Sequence, residues 1–270
     1  MLALVPPLPV KSAPETAFAI YTALMALTTA GFLGWWVKSE RKRGPALPLI
    51  ILGGALSGLM EAWLDNVVLY RWPPHQNLAA FEAFGRTVPM FVPIGYAWFC
   101  GALLYVVARR FQRGVTVRQV WAILGIVAVV DFVAIGLSAW IGVSDFFGDP
   151  PLKVADYPIW WAAFDGCDVL IGGALVWFLL PRLKGLEQLW LVLVPPISLG
   201  AASGAVGWPV STAINSQWSP TGKLLCALAT IGLALAITHF LARLLSAATR
   251  PEPPASPLPS APERELTPVP

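Results

Sequence analysis

Two carboxylic acids, Glu61 and Asp65, lie inside a run of sequence that is otherwise apolar enough to cross a membrane. Their spacing of four residues places both on one face of a helix. Acids within a membrane helix are costly and usually functional. Two carboxylates on one face in a low dielectric cannot both ionise cheaply, so one is expected to keep its proton. A neutral carboxylic acid beside an ionised one predicts general acid–base chemistry.

Three further acids, Asp131, Asp165 and Asp168, fall in later apolar runs, with no Lys or Arg at comparable depth. The helical rise places Glu61, Asp131, Asp165 and Asp168 roughly 10–15 Å below the outer ends of their helices, and Asp65 about 8 Å below. Carboxyl groups on three helices would therefore share one layer. This indicates a single cavity, open to the outer face and lined by spans two, four and five.

Each of the later acids also has a structural interpretation. Asp131 can be a buried residue that hydrogen-bonds Ser138, two turns along the same helix face. Asp165 and Asp168 can form a helix-packing pair beside small residues such as Gly172, because polar groups often join membrane helices. Both alternatives remain open from the sequence, whereas the functional interpretation is favoured for Glu61 and Asp65.

The elements that carry these acids are predicted to be transmembrane helices. Of the 270 residues, 57% are hydrophobic and 12% are charged, and the mean hydropathy is +0.67. A soluble domain would carry about 25% charged residues. We therefore predict an all-α polytopic membrane protein. Its seven predicted spans cover residues 17–37, 47–70, 88–108, 117–141, 158–180, 186–206 and 224–245, within a transmembrane domain of residues 17–248.

The Lys and Arg residues divide unequally between the two ends of these spans. Thirteen of the 18 fall on one side and five on the other. The positive-inside rule then places the N-terminus outside and the C-terminus in the cytoplasm of an integral, multi-pass cell-membrane protein. Residues 1–16 are predicted to be an extracytoplasmic segment. The Pro-rich residues 249–270 are predicted to form a disordered cytoplasmic tail.

Cationic and aromatic residues near the acids are candidates for substrate binding. The outer loops hold Arg71, Trp72, His75 and Arg86, and an Arg can bind a substrate oxygen or lower the pKa of a carboxyl group. Arg71 and Trp72 can equally be interfacial anchors. The remaining candidates share an aromatic face that can stabilise a developing cation; they are Trp63, Trp98 and Trp161.

Several functional classes lack their required residues. The seventh span has no Lys for a retinal Schiff base, and Asp165 with Asp168 is at best half of a pair of Asp-rich magnesium motifs. No nucleotide loop or Ser–His–Asp pattern is present. We therefore expect no cofactor, metal or nucleic-acid partner. The expected partners are a lipophilic small molecule and the lipid bilayer, while the oligomeric state stays open.

A series of short motifs between about residues 57 and 177 resembles the AveC-like spirocyclase family. Besides Glu61 and Asp65, the motifs are RWPPHQ at 71–76, FGRTVP at 84–89, PIGYAW at 93–98, FGDPPL at 147–152 and YPIWW at 157–161. The resemblance implies an enzyme that closes a dihydroxy-ketone into a spiroketal and can also dehydrate the product. Asp165 and Asp168 depart from the family pattern, where an amide or a small polar residue is expected.

Three functions and a purely structural role remain open from the sequence. The first is a cofactor-independent cyclase in which Glu61 donates a proton and Asp65 or Asp165 accepts one. The second is similar to the integral-membrane terpene cyclases, which also have seven spans and intramembrane acids and protonate an epoxide or alkene. The third is a proton- or cation-coupled transporter, in which the same acids form a relay. A non-enzymatic membrane scaffold would tolerate neutralisation of all five acids.

Overall fold

The chain folds into seven helices that are each long and apolar enough to cross a membrane, in a computed structural model that describes residues 15–73 and 78–249. The helices are α1 (Glu15–Arg43), α2 (Ala46–Val68), α3 (Phe91–Gln112), α4 (Val117–Trp140), α5 (Ile159–Leu179), α6 (Gly185–Ile214) and α7 (Pro220–Ala248). Each overlaps one predicted span, and the predicted all-α membrane class is confirmed. The predictions for residues 1–14 and 250–270 fall outside the described residues.

Helix α1 is longer than its predicted span, because it continues through a π-helical turn, Trp36–Glu40, and a 3-10 turn, Arg41–Arg43. The cationic segment after residue 37 is therefore helical. It brings Glu40 to α3, where the Tyr105 hydroxyl donates to Glu40 Oε2 at 2.8 Å. Arg109 Nε lies 3.6 Å from the same oxygen.

Helix α6 is irregular along its length. It opens with a 3-10 segment, Gly185–Leu193, and becomes α-helical at Val194, just before Pro195 and Pro196. Proline is tolerated in the first turn of a helix because its missing N–H has no partner there. Helix α6 therefore changes helix type at the two prolines instead of ending there. A π-helical segment, Ser203–Gly207, follows.

Three short antiparallel strand pairs join the connections at one end of the bundle. The strands are β1 (Tyr70–Arg71), β2 (Ala79–Ala83), β3 (Arg86–Pro89), β4 (Asp145–Phe146), β5 (Lys153–Val154) and β6 (Tyr157–Pro158). They pair as β1–β4, β2–β3 and β5–β6. The left-handed backbone of Leu69, with φ of 56°, ends α2 and turns the chain into β1.

The end of the bundle that carries these strands is held by a buried aromatic cluster beneath them. Its fully buried members are large side chains contributed by α1, β1, β4, β6 and α5: Phe18, Tyr70, Phe146, Tyr157 and Trp160. The pairing of β1 with β4 places Tyr70 directly opposite Phe146. The connection between α2 and α3 is thereby fixed against the connection between α4 and α5.

Helices α2 and α3 cross at van der Waals contact through glycine. A Cβ atom on Gly54 would lie 2.4 Å from the Tyr96 carbonyl oxygen, and one on Gly101 would lie 2.8 Å from the Ile50 carbonyl oxygen. Gly101 belongs to a π-helical segment of α3, Ala97–Ala102. This close approach fixes the distance between Glu61 on α2 and Tyr96 on α3.

Candidate active site

A cavity of about 110 Å³ lies between the helices below the strand pairs, and helices α1 to α6 contribute to its lining. Three carboxyl groups from three different helices line it: Glu61 of α2, Asp131 of α4 and Asp165 of α5. The remaining lining is largely aromatic. The aromatic side chains are Tyr21, Tyr70, Trp72, Phe91, Tyr96, Trp98, Phe99 and Trp161. The cavity therefore combines acidic groups with apolar, aromatic walls.

Asp131 and Asp165 lie within hydrogen-bonding reach of each other. A hydrogen bond between two carboxyl groups requires a proton on one of them. The Tyr157 hydroxyl donates to Asp131 Oδ2, and Trp161 Nε1 donates to Asp165 Oδ2 at 2.9 Å. Tyr157 lies in β6, where burial raises the pKa of its hydroxyl, so this group remains a donor. The pair is thus held in place from two sides.

Glu61 faces the cavity with a phenol as its partner, because the Tyr96 hydroxyl donates to Glu61 Oε2. The Trp72 indole lies beside the same carboxyl. Arg86 stands behind it and does not line the cavity. Arg86 Nε donates to Asn66 Oδ1 at 3.0 Å and Nη1 donates to the Tyr70 carbonyl oxygen at 2.6 Å. Burial lowers the pKa of the Arg86 guanidinium, an effect that the nearby carboxyls of Asp65 and Glu61 oppose.

Asp65 and Asp168 are buried close to the cavity without lining it. Neither carboxyl oxygen of Asp65 has a hydrogen-bond partner in the described part of the chain. Asp168 lies next to Ser198 and Cys100, and Cys100 is itself a lining residue. The structure therefore brings three of the five predicted catalytic acids onto the cavity surface and keeps two behind it.

The alternative partner considered for Asp131 lies elsewhere in the structure. The Ser138 hydroxyl donates to the Ile135 carbonyl oxygen at 2.7 Å and lies 2.6 Å from the Ser144 hydroxyl. Asp131 is instead bound by the phenol of Tyr157. A polar side chain from a strand thus satisfies an acid in the middle of a helix.

The predicted substrate-binding residues divide between the cavity and other places. Trp72, Trp98 and Trp161 line the cavity. Arg71 forms a salt bridge with Asp145, at 2.6 Å from Nη2 to Oδ2, and it does not line the cavity.

The remaining two candidates lie away from the cavity or outside the description. Trp63 is 45% exposed and lines a separate apolar groove of about 270 Å³ between α2, α5 and α6. His75 falls within residues 74–77, outside the described residues.

Tyrosines are the site residues that sequence reasoning missed. The chain contains five. Tyr21, Tyr70 and Tyr96 line the cavity and Tyr157 binds Asp131. The sequence offered two signals for them: tyrosines are few, and most lie near one end of a predicted span. Which carboxyl each one meets depends on contacts between helices.

The arrangement permits proton transfer in a cavity with largely apolar walls. Among the described residues that line the cavity there is no Lys or Arg. No group of three or more His, Cys, Asp and Glu within the described residues is arranged to hold a metal ion. Carboxyl groups with phenol and indole donors can give and accept protons, and aromatic faces can stabilise positive charge.

Comparisons of the chain with family models, curated proteins and solved structures found no match. The function is therefore argued from the cavity and its residues.

Proposed function

We propose that this chain is a membrane-embedded cyclase that uses carboxyl groups as general acid and base on a lipophilic substrate. The reaction would close a hydroxy-ketone into a spiroketal, dehydrate such a product, or do both. The observation that carries the proposal is the meeting of Glu61 with the Asp131–Asp165 pair at one aromatic cavity. An acid and a base that line one cavity are what a cyclisation with proton transfer requires.

In the proposed reaction, one substrate hydroxyl adds to the ketone carbon to give a hemiketal. Glu61 then protonates the hemiketal hydroxyl, which leaves as water and produces an oxocarbenium ion. A second hydroxyl forms the new C–O bond and passes its proton to the Asp131–Asp165 pair. Exchange of this proton back to Glu61 restores the enzyme. The net products are one spiroketal and one water molecule for each dihydroxy-ketone.

The walls of the cavity support the charged intermediate in this scheme. Carboxylates and aromatic faces stabilise a cation most effectively where water is excluded. Asp165 suits the role of proton acceptor better than Asp65, because Asp165 lines the cavity and Asp65 does not. Asp165 also keeps an indole donor on Oδ2, which orients the carboxyl.

The motifs that resemble the AveC-like spirocyclases also support the proposal, through their positions around the cavity. Residues from three of its motifs line the cavity or hold its acids: Trp72, Tyr96, Trp98, Tyr157 and Trp161. The motifs are separated in sequence and meet in space around the carboxyl groups. That convergence is expected when motif residues belong to one active site.

We further propose an orientation in the cell membrane, with the N-terminus outside and the C-terminus in the cytoplasm. Segments rich in Lys and Arg meet at the end of the bundle opposite the strand pairs, for example where Arg109 of α3 approaches Glu40 of α1. The positive-inside rule would place that end in the cytoplasm. The cavity would then lie in the outer half of the bilayer, where it receives a lipophilic substrate.

The decisive experiment replaces Glu61 with Gln and assays conversion of a dihydroxy-ketone in membranes. The amide can still accept a hydrogen bond from Tyr96 but cannot donate a carboxyl proton. We expect a fall in turnover of about 10²- to 10⁴-fold, the usual contribution of a general acid. The matched control is Glu82→Gln, because Glu82 is exposed in β2 and far from any proton transfer. Unchanged turnover in Glu61→Gln would remove Glu61 from the mechanism.

A terpene cyclase is the second candidate, favoured by the eight aromatic side chains of the cavity wall. Such an enzyme would protonate an epoxide or alkene with the same Glu61 and guide a carbocation between aromatic faces. Product analysis with a linear polyprenyl epoxide, beside the dihydroxy-ketone, separates the two. A proton-coupled transporter would instead show uptake driven by a pH gradient in proteoliposomes.

A further inference from the structure

Trp72 carries a buried hydrogen-bond donor that no described residue satisfies. Its side chain is 8% exposed and lines the cavity. Its indole Nε1 makes no hydrogen bond within residues 15–73 and 78–249. The nearby acceptor is the Glu61 carboxyl, which the indole N–H approaches without reaching hydrogen-bond geometry. The donor is therefore open to an acceptor in the cavity, next to the proposed acid.

The indole is held in this position by its aromatic neighbours. It packs edge-to-face against Tyr70, with ring centroids 4.8 Å apart, and against Phe91, with ring centroids 5.2 Å apart. Such contacts stabilise one ring orientation. The free N–H is thus a fixed feature of the wall.

The other indoles of the cavity have partners. Trp98 Nε1 donates to Met25 Sδ at 3.2 Å, and Trp161 Nε1 donates to Asp165 Oδ2 at 2.9 Å. Trp72 differs from both, although all three line the same cavity. This contrast indicates that the Trp72 N–H is available to a molecule that enters the cavity.

A second free donor lies close to the first. The Tyr70 hydroxyl is buried and belongs to a residue that lines the cavity. It lies near the hydroxyls of Ser138 and Ser144, but it makes no hydrogen bond of ordinary geometry among the described residues. Burial raises the pKa of the Tyr70 hydroxyl well above its ordinary range, so it stays protonated. Tyr70 and Trp72 therefore present two polar hydrogens on the same wall as Glu61.

We propose that the ligand of this cavity carries an acceptor oxygen, a carbonyl or ether oxygen, and places it against Trp72 Nε1 beside Glu61. A buried donor left without an acceptor is unfavourable, so a ligand oxygen that pairs with it gains affinity. A hydrocarbon alkene offers no such acceptor. The inference rests on the proposed function and narrows its substrate class to oxygenated molecules.

The same contact has a chemical role. An oxygen that accepts from Trp72 while Glu61 faces it is polarised by two donors, which makes the attached carbon more electrophilic. Trp72 would then be a binding residue that also orients the reacting group. An indole N–H is suited to this role because it donates and never accepts.

The experiment compares the binding of two small probes of similar shape to the purified protein in detergent. Cyclohexanone carries a carbonyl oxygen, and methylenecyclohexane replaces it with a carbon. We expect the wild-type protein to bind the ketone about two- to tenfold more tightly than the alkene, the worth of one net hydrogen bond. In Trp72→Phe, which keeps an aromatic ring but removes the N–H, this preference should fall, because only the other donors of the wall remain. Trp36→Phe is the matched control and should keep it, because the Trp36 indole lies outside the cavity lining and donates to the Gly44 carbonyl oxygen.

Two results would overturn the inference. One is equal binding of ketone and alkene by the wild-type protein, which would mean that the Trp72 N–H pairs with water and not with the ligand. The other is an undiminished ketone preference in Trp72→Phe. If Trp72→Phe does not fold, the wild-type comparison still decides the matter, and Tyr70→Phe supplies a second variant on the same wall.

The outcome is separable from that of the proposed function. A ketone preference in a protein that shows no turnover would support the inference about Trp72 and contradict the proposed cyclase function. Turnover of the dihydroxy-ketone without any ketone preference would preserve the cyclase and remove the inference. Glu61→Gln should keep ketone binding, since the Trp72 donor remains, while losing turnover.

Discussion

At the scale of single residues, the Asp131 carboxyl depends on a phenol supplied by a strand. Tyr157 is fully buried and donates to Asp131 Oδ2. A buried acceptor that loses its donor costs about 1–3 kcal/mol. Tyr157→Phe should therefore lower the free energy of unfolding by about that amount, measured by thermal denaturation in detergent.

The control for Tyr157→Phe is Tyr21→Phe, because the Tyr21 hydroxyl makes only a long contact of 3.4 Å to the Ala134 carbonyl oxygen. We expect that variant to lose less stability. Equal losses of stability in the two variants would mean that the Tyr157 hydrogen bond contributes no more stability than the long contact of the Tyr21 hydroxyl.

The sequence was sufficient to place the five acids in apolar helices, because residue type and apolar run length are local properties. It was not sufficient to identify which acids meet. Glu61 and Asp65 are four residues apart on α2, but the acids within hydrogen-bonding reach of each other are Asp131 and Asp165, on two helices. Such a contact depends on how α4 packs against α5. The two predicted cations, Arg71 and Arg86, likewise bind Asp145 and Asn66, partners that no spacing rule indicates.

At the scale of elements, the crossing of α2 and α3 positions Glu61 against Tyr96. A Cβ atom on Gly54 would meet backbone atoms of both Tyr96 and Gly101, at 2.4 and 2.8 Å. Backbone atoms cannot move aside without shifting the helix. Gly54→Ala should therefore cost roughly 1–3 kcal/mol of stability by overpacking, and it should lower turnover by displacing Tyr96.

The matched variant for Gly54→Ala is Gly125→Ala in α4, where an added Cβ atom meets nothing within 4 Å. Alanine is the better helix former, by up to about 1 kcal/mol. We expect Gly125→Ala to leave the melting temperature unchanged or to raise it slightly. A melting temperature that falls equally in both variants would contradict the assignment of the α2–α3 crossing as a tight contact.

The lengths of the apolar runs predicted the positions of the helices, but they did not predict the irregular segments within the helices. Each predicted span overlaps one helix. The π-helical segments Ala97–Ala102 and Ser203–Gly207 have no comparable signal, because they arise where one helix adapts to another. The two-residue strands were also invisible, since β1 and β4 pair across more than seventy residues of sequence.

At the scale of the whole molecule, the proposed orientation can be tested by labelling from outside the cell. Glu82 in β2 is exposed at the strand end, and Glu187 is exposed near the start of α6 at the cationic end. In a background without the three native cysteines, Glu82→Cys should react with a membrane-impermeant maleimide in intact cells. Glu187→Cys should react only after permeabilisation, because the positive-inside rule places it in the cytoplasm.

The reversed labelling pattern would overturn the orientation and put the cavity in the inner half of the bilayer. The seven helices would be unaffected by that result, because their assignment rests on length and hydropathy. Reaction at both positions in intact cells would indicate a mixed orientation, which also contradicts the proposal.

The size of the cavity has a consequence for what this protein can recognise. A volume of about 110 Å³ is well below the roughly 300–1,000 Å³ of pockets that bury most of a drug-sized ligand. It can enclose a ring and its oxygen but not a whole polyketide or a long isoprenoid. The remainder of a large substrate must extend out of the cavity, away from the acids. Substrate selectivity would then be local. The protein would bind one functional group of the substrate and tolerate variation in the rest of the molecule.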